Sequence, residues 1–411
     1  MTQSRLSAGQ IQVGRPLAFD VFDPEGQLLL RFGYVIESPS QLDRLLERGL
    51  YREQDSSDDP LIDSLSGGRP TSVRRRRLPP RLTAFGLLRL VLVDLEAVLT
   101  QPEPEFFRGN LLALAIRLQH VCQRDADAAL AAIQLLHEGR YSLRRMLQAA
   151  ILTELVLKAQ QMAEAQRLSV VAAALTSNLA MLDLQDQLYH QEASLTEAQK
   201  QQLYAHPRVG AEQLAQLGVT DPLWLEVVRQ HHESLDGRGY PVRLSGHLLR
   251  PEAQVVGLCD RFTALCSARA HRPPAPPSLV LKELFQARGQ GLDGDLVTQL
   301  VKIAGVYPPG SLVRLANRDV AVVVKRSLHV RQPVVKSVRT ASGLVCVDAP
   351  RKHLSSDAIY AITGLMAHAE FEHPLNPDTL WADSYDLVPQ APVADPGPTP
   401  GLPPGASAEG A

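Results

Sequence analysis

The segment His231–Pro241 begins with two adjacent histidines and continues into a glycine-rich turn. Imidazole nitrogens are common ligands of transition metals, so the histidine pair indicates a metal site. Asp236, Gly237 and Gly239 predict a turn that few other residue types permit, because glycine accepts positive φ angles without strain. Pro241 restricts the backbone where the chain leaves this turn. We therefore expect metal ligands beside a rigid loop.

The eleven residues of this segment, His-His-Glu-Ser-Leu-Asp-Gly-Arg-Gly-Tyr-Pro, resemble the signature of HD-GYP proteins. Those proteins are the metal-dependent phosphodiesterases of bacterial cyclic di-GMP signalling. A continuous match of this length is far more specific than an isolated glycine pattern. The resemblance implies an HD-type helical bundle that holds two or three transition-metal ions (iron, manganese or zinc). It also implies a GYP motif made of Glu233, Asp236, Gly237, Gly239, Tyr240 and Pro241.

Four residues match the later half of the metal-ligand set that the resemblance implies. His231 and His232 match the paired histidines, and His206 matches the single histidine through the surrounding Ala-His-Pro-Arg-Val-Gly. Asp260 matches the late aspartate of the family, 28 residues beyond His232. The resemblance therefore implies that these four side chains, which span 55 positions of sequence, converge on one site.

The earlier half of the implied ligand set is replaced, so no intact catalytic set is expected. Ser177 and Asn178 stand where the family has its His-Asp pair, and Met181 stands at a lysine position. The same register places Arg145 near an earlier histidine and Tyr141 near an earlier glutamate. Asparagine is neutral where an anionic carboxylate should bridge two cations, and serine is a poor substitute for imidazole.

Two states of the remaining ligands stay open at this point. His206, His231 and His232 with a water molecule would form a workable open site for one ion, with Asp260 as a more distant carboxylate. Alternatively, hydrogen bonds satisfy the histidines and no metal binds. The residues alone do not favour either state.

Two basic residues follow the late aspartate at positions that contact phosphate in the family. Arg269 and Arg272 stand there, in Ser-Ala-Arg-Ala-His-Arg. Arginine is suited to bidentate phosphate recognition. Two arginines at the end of a helix are also typical of solvated groups that complement the helix dipole. The resemblance makes a nucleotide-binding role for this pair as credible as the simpler interpretation.

Composition excludes several classes of partner. The formal net charge of −2 gives no overall attraction to a nucleic acid polymer or an anionic membrane surface. The apolar run 87–99 contains three charged residues and is too short to span a bilayer. The first ten residues lack the apolar core of a signal peptide. We therefore expect a cytoplasmic protein without a membrane span.

The hydropathy pattern predicts a mainly α protein, with a helical bundle flanked by two small β-containing modules. About ten helices are expected between residues 82 and 304, among them 168–182, 196–216 and 221–232. Thr196 with Gln199 has the form of a capping box. Val-rich runs predict strands at 320–324, 334–338 and 344–348, and a helix is expected at 356–368. The predicted divisions are a small N-terminal α+β module (1–52), a linker (53–81), the HD-GYP-like helical domain (82–305), a β-rich C-terminal appendage (306–385) and a disordered tail (386–411).

Two functions follow from the resemblance. In the first, the chain is a degenerate HD-GYP protein that binds cyclic di-GMP, a related dinucleotide or a signalling partner protein, with little or no hydrolysis. In the second, it is an active metal-dependent cyclic di-GMP phosphodiesterase. The complete GYP loop beside a replaced His-Asp pair favours the first function. The sequence does not indicate the oligomeric state.

Overall fold

The computed structural model describes residues 83–382 except 271, 328, 330, 348 and 349. Before residue 83 it describes 3–6, 21–24, 28–30, 39–48, 50–53 and the single positions 11, 13, 17 and 36. The predicted linker, apart from Glu53 at the end of a strand, and the predicted tail lie outside the described residues.

The N-terminal module is a small antiparallel sheet with one helix. Its strands are β1 (Gln3–Arg5), β2 (Val21–Phe22), β3 (Leu28–Leu30) and β4 (Tyr51–Glu53), in the order β1-β4-β2-β3, and its helix is α1 (Pro39–Arg48). Val21 pairs with Leu30 in an antiparallel hairpin. The apolar core of this module includes Phe106 of the following domain, so the two units pack together.

The central region, residues 83–305, forms eleven α-helices among its described residues. They are α2 (Ala84–Thr100), α3 (Pro104–Arg124), α4 (Ala126–Leu135), α5 (Tyr141–Ala159), α6 (Glu164–Thr176), α7 (Leu182–His190), α8 (Glu197–Gln216), α9 (Pro222–Gln230), α10 (Pro251–Cys266), α11 (Pro277–Gln286) and α12 (Gly294–Ala304). The predicted mainly α fold is confirmed. The capping box is also confirmed. The Thr196 hydroxyl accepts a hydrogen bond from the backbone N–H of Gln199, and the Gln199 side-chain oxygen accepts one from the backbone N–H of Thr196.

Helix α5 is the central helix of this bundle and packs against α6 and α10. Sixteen of its 19 residues are buried, as expected of a helix surrounded by others. The buried set includes Arg145 and Glu154, which are charged. A charged side chain at such a position requires a partner, and the partner of Arg145 lies in the candidate site.

The prediction of one helix over residues 168–182 is wrong in its end and in its continuity. Helix α6 begins earlier, at Glu164, and ends at Thr176; a 3-10 turn, Leu179–Met181, then leads into α7. Asn178 adopts φ −105° and ψ 17°, outside the helical range, and breaks the helix. Asparagine favours such breaks because its side chain competes for backbone hydrogen bonds. The break lies at the position where the family motif was expected.

The C-terminal module is a five-stranded antiparallel sheet in the order β8-β7-β6-β5-β9. Its strands are β5 (Leu312–Leu315), β6 (Val320–Lys325), β7 (Val334–Arg339), β8 (Arg351–Leu354) and β9 (Ile362–Met366), and a short helix α13 (Pro377–Leu380) follows. Two predictions here are wrong. The described residues of the predicted strand 344–348, which are 344–347, contribute an isolated bridge at Val345 rather than a strand. The segment expected as a helix at 356–368 contains a 3-10 turn and β9, because pairing with β5 provides hydrogen-bond partners for the backbone of β9.

One helical stretch among the described residues, Glu164–His190, is long and apolar enough to cross a membrane by length and composition. Of its most apolar window, 67% is buried inside the protein. Burial of this extent is typical of a helix in the core of a bundle.

Candidate metal centre and adjoining cavity

Three histidines from two helices meet at one point of the bundle. His206 lies within α8, His231 follows the last residue of α9, and His232 comes next in the chain. One ligand nitrogen from each lies within 4.8 Å of the others. We call these three residues the histidine cluster. Among the described residues, these three are the one group of three or more His, Cys, Asp or Glu side chains that lie close enough together to hold a metal ion.

Local backbone chemistry orients two rings of the cluster. Pro207 lies inside α8 and has no N–H to donate to the Leu203 carbonyl four residues earlier. The His206 Nδ1 donates to that carbonyl instead, at 2.6 Å. The His231 Nδ1 donates in the same way to the Val228 carbonyl, at 2.7 Å, at the end of α9 where carbonyls lack helical partners. The His-Pro sequence and the helix end therefore both direct an Nε2 atom into the site.

The two Nε2 atoms then face each other across 3.4 Å. A carbonyl only accepts hydrogen bonds, so both Nδ1 atoms carry the proton and each neutral ring presents a bare Nε2 lone pair. Two such lone pairs repel unless a cation lies between them. Nitrogens bound at about 2.0–2.1 Å to one tetrahedral ion are about 3.4 Å apart. The donor geometry of the cluster therefore fits a single metal ion.

Burial keeps the histidine cluster neutral. Burial, together with the neighbouring His231, lowers the pKa of His206 to about 3. Burial lowers the pKa of His231, and burial with the adjacent histidines lowers that of His232 well below its ordinary value. Neutral imidazole is the form that binds metal, so no proton must leave before an ion is bound.

A glycine allows α10 to pack directly against the histidine pair. A Cβ atom built on Gly257 would lie 2.2 Å from the His231 carbonyl oxygen. Real Cβ atoms do not approach backbone oxygens this closely, so glycine is required for this contact. Gly257 lies one turn before Asp260 on the same helix, and it therefore sets the distance between the histidine and aspartate sides of the site.

The carboxylate of Glu233 holds the GYP loop closed. It accepts hydrogen bonds from the backbone amides of Val242, Arg243 and Leu244 at 2.7, 3.1 and 2.9 Å. A Cβ on Gly239 would lie 2.5 Å from the Glu233 Cα, so the two arms of the loop touch. Glu233 therefore serves the loop structure rather than the metal site.

The remaining GYP residues shape the loop around His232. Tyr240 stacks on the His232 ring, with centroids 4.7 Å apart, and the Tyr240–Pro241 peptide bond is cis. Gly237 has φ +71°, which glycine adopts without strain, and the Asp236 carboxylate accepts from the Arg238 amide at 3.1 Å. The predicted turn is thus present, and it places an aromatic ring against a residue of the cluster.

Asp260 pairs with Arg145 and lies outside the histidine cluster. The Arg145 Nη2 donates to the Asp260 Oδ1 at 2.6 Å and to the Asp260 backbone oxygen at 2.9 Å. Their side chains are 3% and 8% exposed. Burial opposes the charge of the guanidinium, but the Asp260 carboxylate and Tyr141 together outweigh it and the pKa of Arg145 is raised. The family's late aspartate position is thus occupied by a buried ion pair.

The residues that replace the His-Asp pair lie beside this ion pair. The Asn178 Nδ2 approaches the Asp260 Oδ1 at 3.5 Å, which supports the register that placed Asn178 at the metal-bridging position. Asn178 is fully buried, and its Oδ1 has no hydrogen-bond partner among the described residues. The Ser177 hydroxyl donates to the Ala174 carbonyl at 3.1 Å, within its own helix turn. Met181 lines the cavity next to the site.

A cavity of about 360 Å³ opens beside the site, a size typical of small-ligand pockets. Its wall includes His231, His232, Arg145 and Asp260, and two further basic residues, Arg261 and Arg269.

The two predicted phosphate-binding arginines differ in position. Arg269 lines the cavity, whereas the Arg272 guanidinium donates to the Ala264 carbonyl at 2.7 Å, near the end of α10, and is not part of the cavity wall. Sequence reasoning missed Arg261, which is exposed and directly follows Asp260 in α10. Its adjacency to the aspartate was the signal that could have identified it.

Comparison with known proteins places the bundle in a family. The family model described as HD domain matches residues 113–296, a range that contains the histidine cluster, Asp260 and the GYP loop. Residues 113–296 form an HD domain. The matched range begins within α3 and ends within α12, so the HD domain comprises most of the helical bundle.

Two relatives of the HD domain are cyclic di-GMP phosphodiesterases by name. Cyclic di-GMP phosphodiesterase PA4108 of Pseudomonas aeruginosa is 27% identical over 154 residues, 38% of this chain and 37% of that protein. The cyclic di-GMP phosphodiesterase response regulator RpfG of Xanthomonas campestris is 30% identical over 137 residues, 32% of this chain and 35% of that protein. The chain thus spans little more than a third of the length of these relatives.

A solved structure, Bd1817, an HDG"Y"P protein from Bdellovibrio bacteriovorus, is also similar to this chain. It matches at a TM-score of 0.47 with 15% identity, and the match covers 74% of this chain and 99% of that one.

Proposed function

We propose that this chain is a degenerate HD-GYP protein that binds one divalent metal ion and a cyclic dinucleotide, cyclic di-GMP first, with little or no hydrolysis. One observation carries the proposal. The carboxylate at the family's late ligand position is held by Arg145 at 2.6 Å, while the histidine cluster keeps its nitrogens directed at one point. The histidine cluster can therefore bind a metal ion, whereas the Asp260 side chain is already paired with Arg145.

The histidine cluster supports the single metal ion. His206 and His231 have carbonyl-oriented Nδ1 atoms and an Nε2 separation that suits two ligands of one ion, and a ligand nitrogen of His232 lies within 4.8 Å of theirs. Three histidine ligands leave a position for water or ligand. Iron, manganese and zinc all accept imidazole ligands. When bound, such an ion would act as a Lewis acid toward a phosphoryl oxygen. The competing state, in which no metal binds, leaves the two bare lone pairs facing each other.

The residues around Asn178 support the loss of hydrolysis. A second ion needs a bridging carboxylate, and Asn178 offers only a neutral amide there. Arg145 adds a fixed positive charge next to that position, which disfavours a further divalent cation. No adjacent His-Asp pair occurs anywhere in the 411 residues. A multinuclear centre therefore has no ligand set on this side.

The cavity wall supports an anionic ligand. Arg261 and Arg269 line it together with two residues of the histidine cluster. Guanidinium groups bind phosphate oxygens through charge-assisted hydrogen bonds. A cyclic dinucleotide carries two phosphodiesters, and the relatives that match this region act on cyclic di-GMP by name.

A partner protein is the second candidate ligand. Three large apolar side chains near the GYP loop are solvent-exposed: Tyr204 at 52%, Val242 at 70% and Leu248 at 58%. Exposed apolar groups rimmed by polar residues are typical of interaction surfaces. We place the nucleotide first because the cavity that carries Arg261 and Arg269 adjoins the histidine cluster.

The alternative is an active cyclic di-GMP phosphodiesterase, and two assays on the purified protein separate the functions. The first determines metal content by mass spectrometry after loading with zinc, manganese or iron. The second measures cyclic di-GMP hydrolysis and, by calorimetry, cyclic di-GMP binding. We expect about one ion per chain, saturable binding and negligible turnover. Robust turnover that His231→Ala abolishes would establish the alternative, and absence of binding would remove the nucleotide from the proposal.

A further inference from the structure

The Arg145 guanidinium occupies a buried position where oxygen atoms of Asp260 bind a cation. It projects from the middle of the buried helix α5 and makes two hydrogen bonds to one residue, to the side chain and the backbone of Asp260. The Asn178 Nδ2 lies 3.5 Å from the same carboxylate oxygen. One oxygen of the aspartate is therefore held by a cation and approached by an amide, as a metal-ligating carboxylate oxygen is held by its ion and a supporting group.

A guanidinium can replace a metal ion in the charge balance of a buried carboxylate. It is charged at all working pH values and binds carboxylate oxygens through short, directed hydrogen bonds. It also carries its own tether, so it does not exchange with solvent as an ion does. Because Arg145 and Asp260 are both nearly fully buried, the two do not separate without rearrangement of α5 and α10.

We infer that Arg145 substitutes for a metal ion: its guanidinium permanently holds Asp260 and limits this site to a single metal on the histidine cluster. The inference deepens the proposed function and rests on its single-metal site. It assigns the loss of a second ion primarily to Arg145 rather than to Asn178. Restoring the missing His-Asp pair alone therefore does not restore a second ion, because the aspartate on the opposite wall is already paired.

The arrangement also defines what a ligand meets in the cavity. Arg145 lines the same wall as His231, His232 and Arg261. An anion entering this space meets a metal on one side and an organic cation on the other. The guanidinium is balanced by Asp260, so its contribution is directional hydrogen bonding, whereas the ion, Arg261 and Arg269 supply the further positive charge.

Metal stoichiometry tests the inference without reference to activity. The variants are wild type, Asp260→Asn, Ser177→His/Asn178→Asp and the triple variant that adds Arg145→His. Each is stripped, loaded with cobalt and analysed by mass spectrometry and by the visible absorption of bound cobalt. We expect about one ion in the first three and about two in the triple variant, where imidazole replaces the guanidinium and frees Asp260.

Two results would overturn the inference. One is loss of cobalt from Asp260→Asn, which would make Asp260 a ligand of the single ion. The other is a second ion in Ser177→His/Asn178→Asp while Arg145 is still present. If wild type binds no cobalt but the triple variant binds two ions, the proposed single-metal function fails and the role of Arg145 stands.

A further variant covers the case in which Asp260→Asn does not fold. Arg145→Met/Asp260→Leu replaces the whole ion pair with apolar side chains of similar volume, a change that folded proteins commonly tolerate. We expect it to bind about one cobalt ion through the histidine cluster. A metal-free but folded double variant, judged by circular dichroism, would count against the inference.

Discussion

On the histidine side of the site, His206 and His231 each donate from Nδ1 to a backbone carbonyl, and their Nε2 atoms face each other. On the aspartate side, the Asp260 carboxylate is taken by a guanidinium and approached by an amide. Both sides are buried and lie on the same helical scaffold, so burial and fold do not distinguish them. The difference lies in the pairing of the potential ligand atoms: the His206 and His231 Nε2 lone pairs face each other, whereas the Asp260 Oδ1 already accepts from a cation.

The largest expected effect is a loss of metal affinity, and it concerns the histidine side. His231→Ala removes one of the two facing nitrogens, and we expect zinc affinity to fall by more than the roughly 10–100-fold that loss of an outer-shell partner costs. Calorimetric titration with zinc measures it. His247→Ala is the matched control, since this histidine lies in the exposed 3-10 turn Gly246–Leu248 of the same loop. Equal affinity of both variants would show that the cluster is not a metal site.

The next effect concerns the aspartate side and appears in stability. Arg145→Met leaves the buried Asp260 carboxylate without its cation, so we expect a loss of about 3–5 kcal/mol in the free energy of unfolding. The double variant Arg145→Met/Asp260→Leu should recover most of this loss. Urea unfolding followed by circular dichroism measures both. If the single variant is as stable as wild type, the ion pair does not stabilise this wall.

A third effect tests the contact that sets the distance between the two sides. Gly257→Ala places a Cβ against the His231 carbonyl, so α10 must move away, at a cost of about 1–3 kcal/mol as for other overpacked sites. We also expect weaker zinc binding because the histidine pair shifts. Gly294→Ala is the control, since a Cβ at that position would meet no described atom within 4 Å. Unchanged stability and zinc affinity in Gly257→Ala would contradict this packing.

The smallest effect distinguishes the two arginines beyond the late aspartate. Arg269 lines the cavity, so Arg269→Ala should weaken cyclic di-GMP binding about tenfold, the value of one charge-assisted hydrogen bond of about 1.5 kcal/mol. Arg272→Ala should leave the affinity unchanged and lower stability slightly, because its guanidinium bonds to a helix carbonyl. Calorimetry and thermal unfolding compare the two, and a reversed pattern would exchange their roles.

Much of the fold was predictable because the helical periodicity of the bundle is strong. The helices that carry the histidine cluster were expected at 196–216 and 221–232, within two residues of α8 and α9. The errors lie where tertiary partners override local pattern. Helix 168–182 breaks at Asn178, and the segment expected as a helix at 356–368 becomes β9 because β5 offers an edge for pairing. Sequence periodicity does not contain these partners.

By itself the sequence determined the loop and the histidines of the candidate metal site. The eleven residues from His231 to Pro241 encode the turn and its closure, and His206 with Pro207 encodes an oriented ring, because these depend on neighbours within a few positions. Only the tertiary structure decided whether Asp260 is a metal ligand or the partner of an arginine. Its partner Arg145 is 115 positions earlier, and the choice between metal ligand and ion pair depends on which atoms helix packing brings within hydrogen-bond distance.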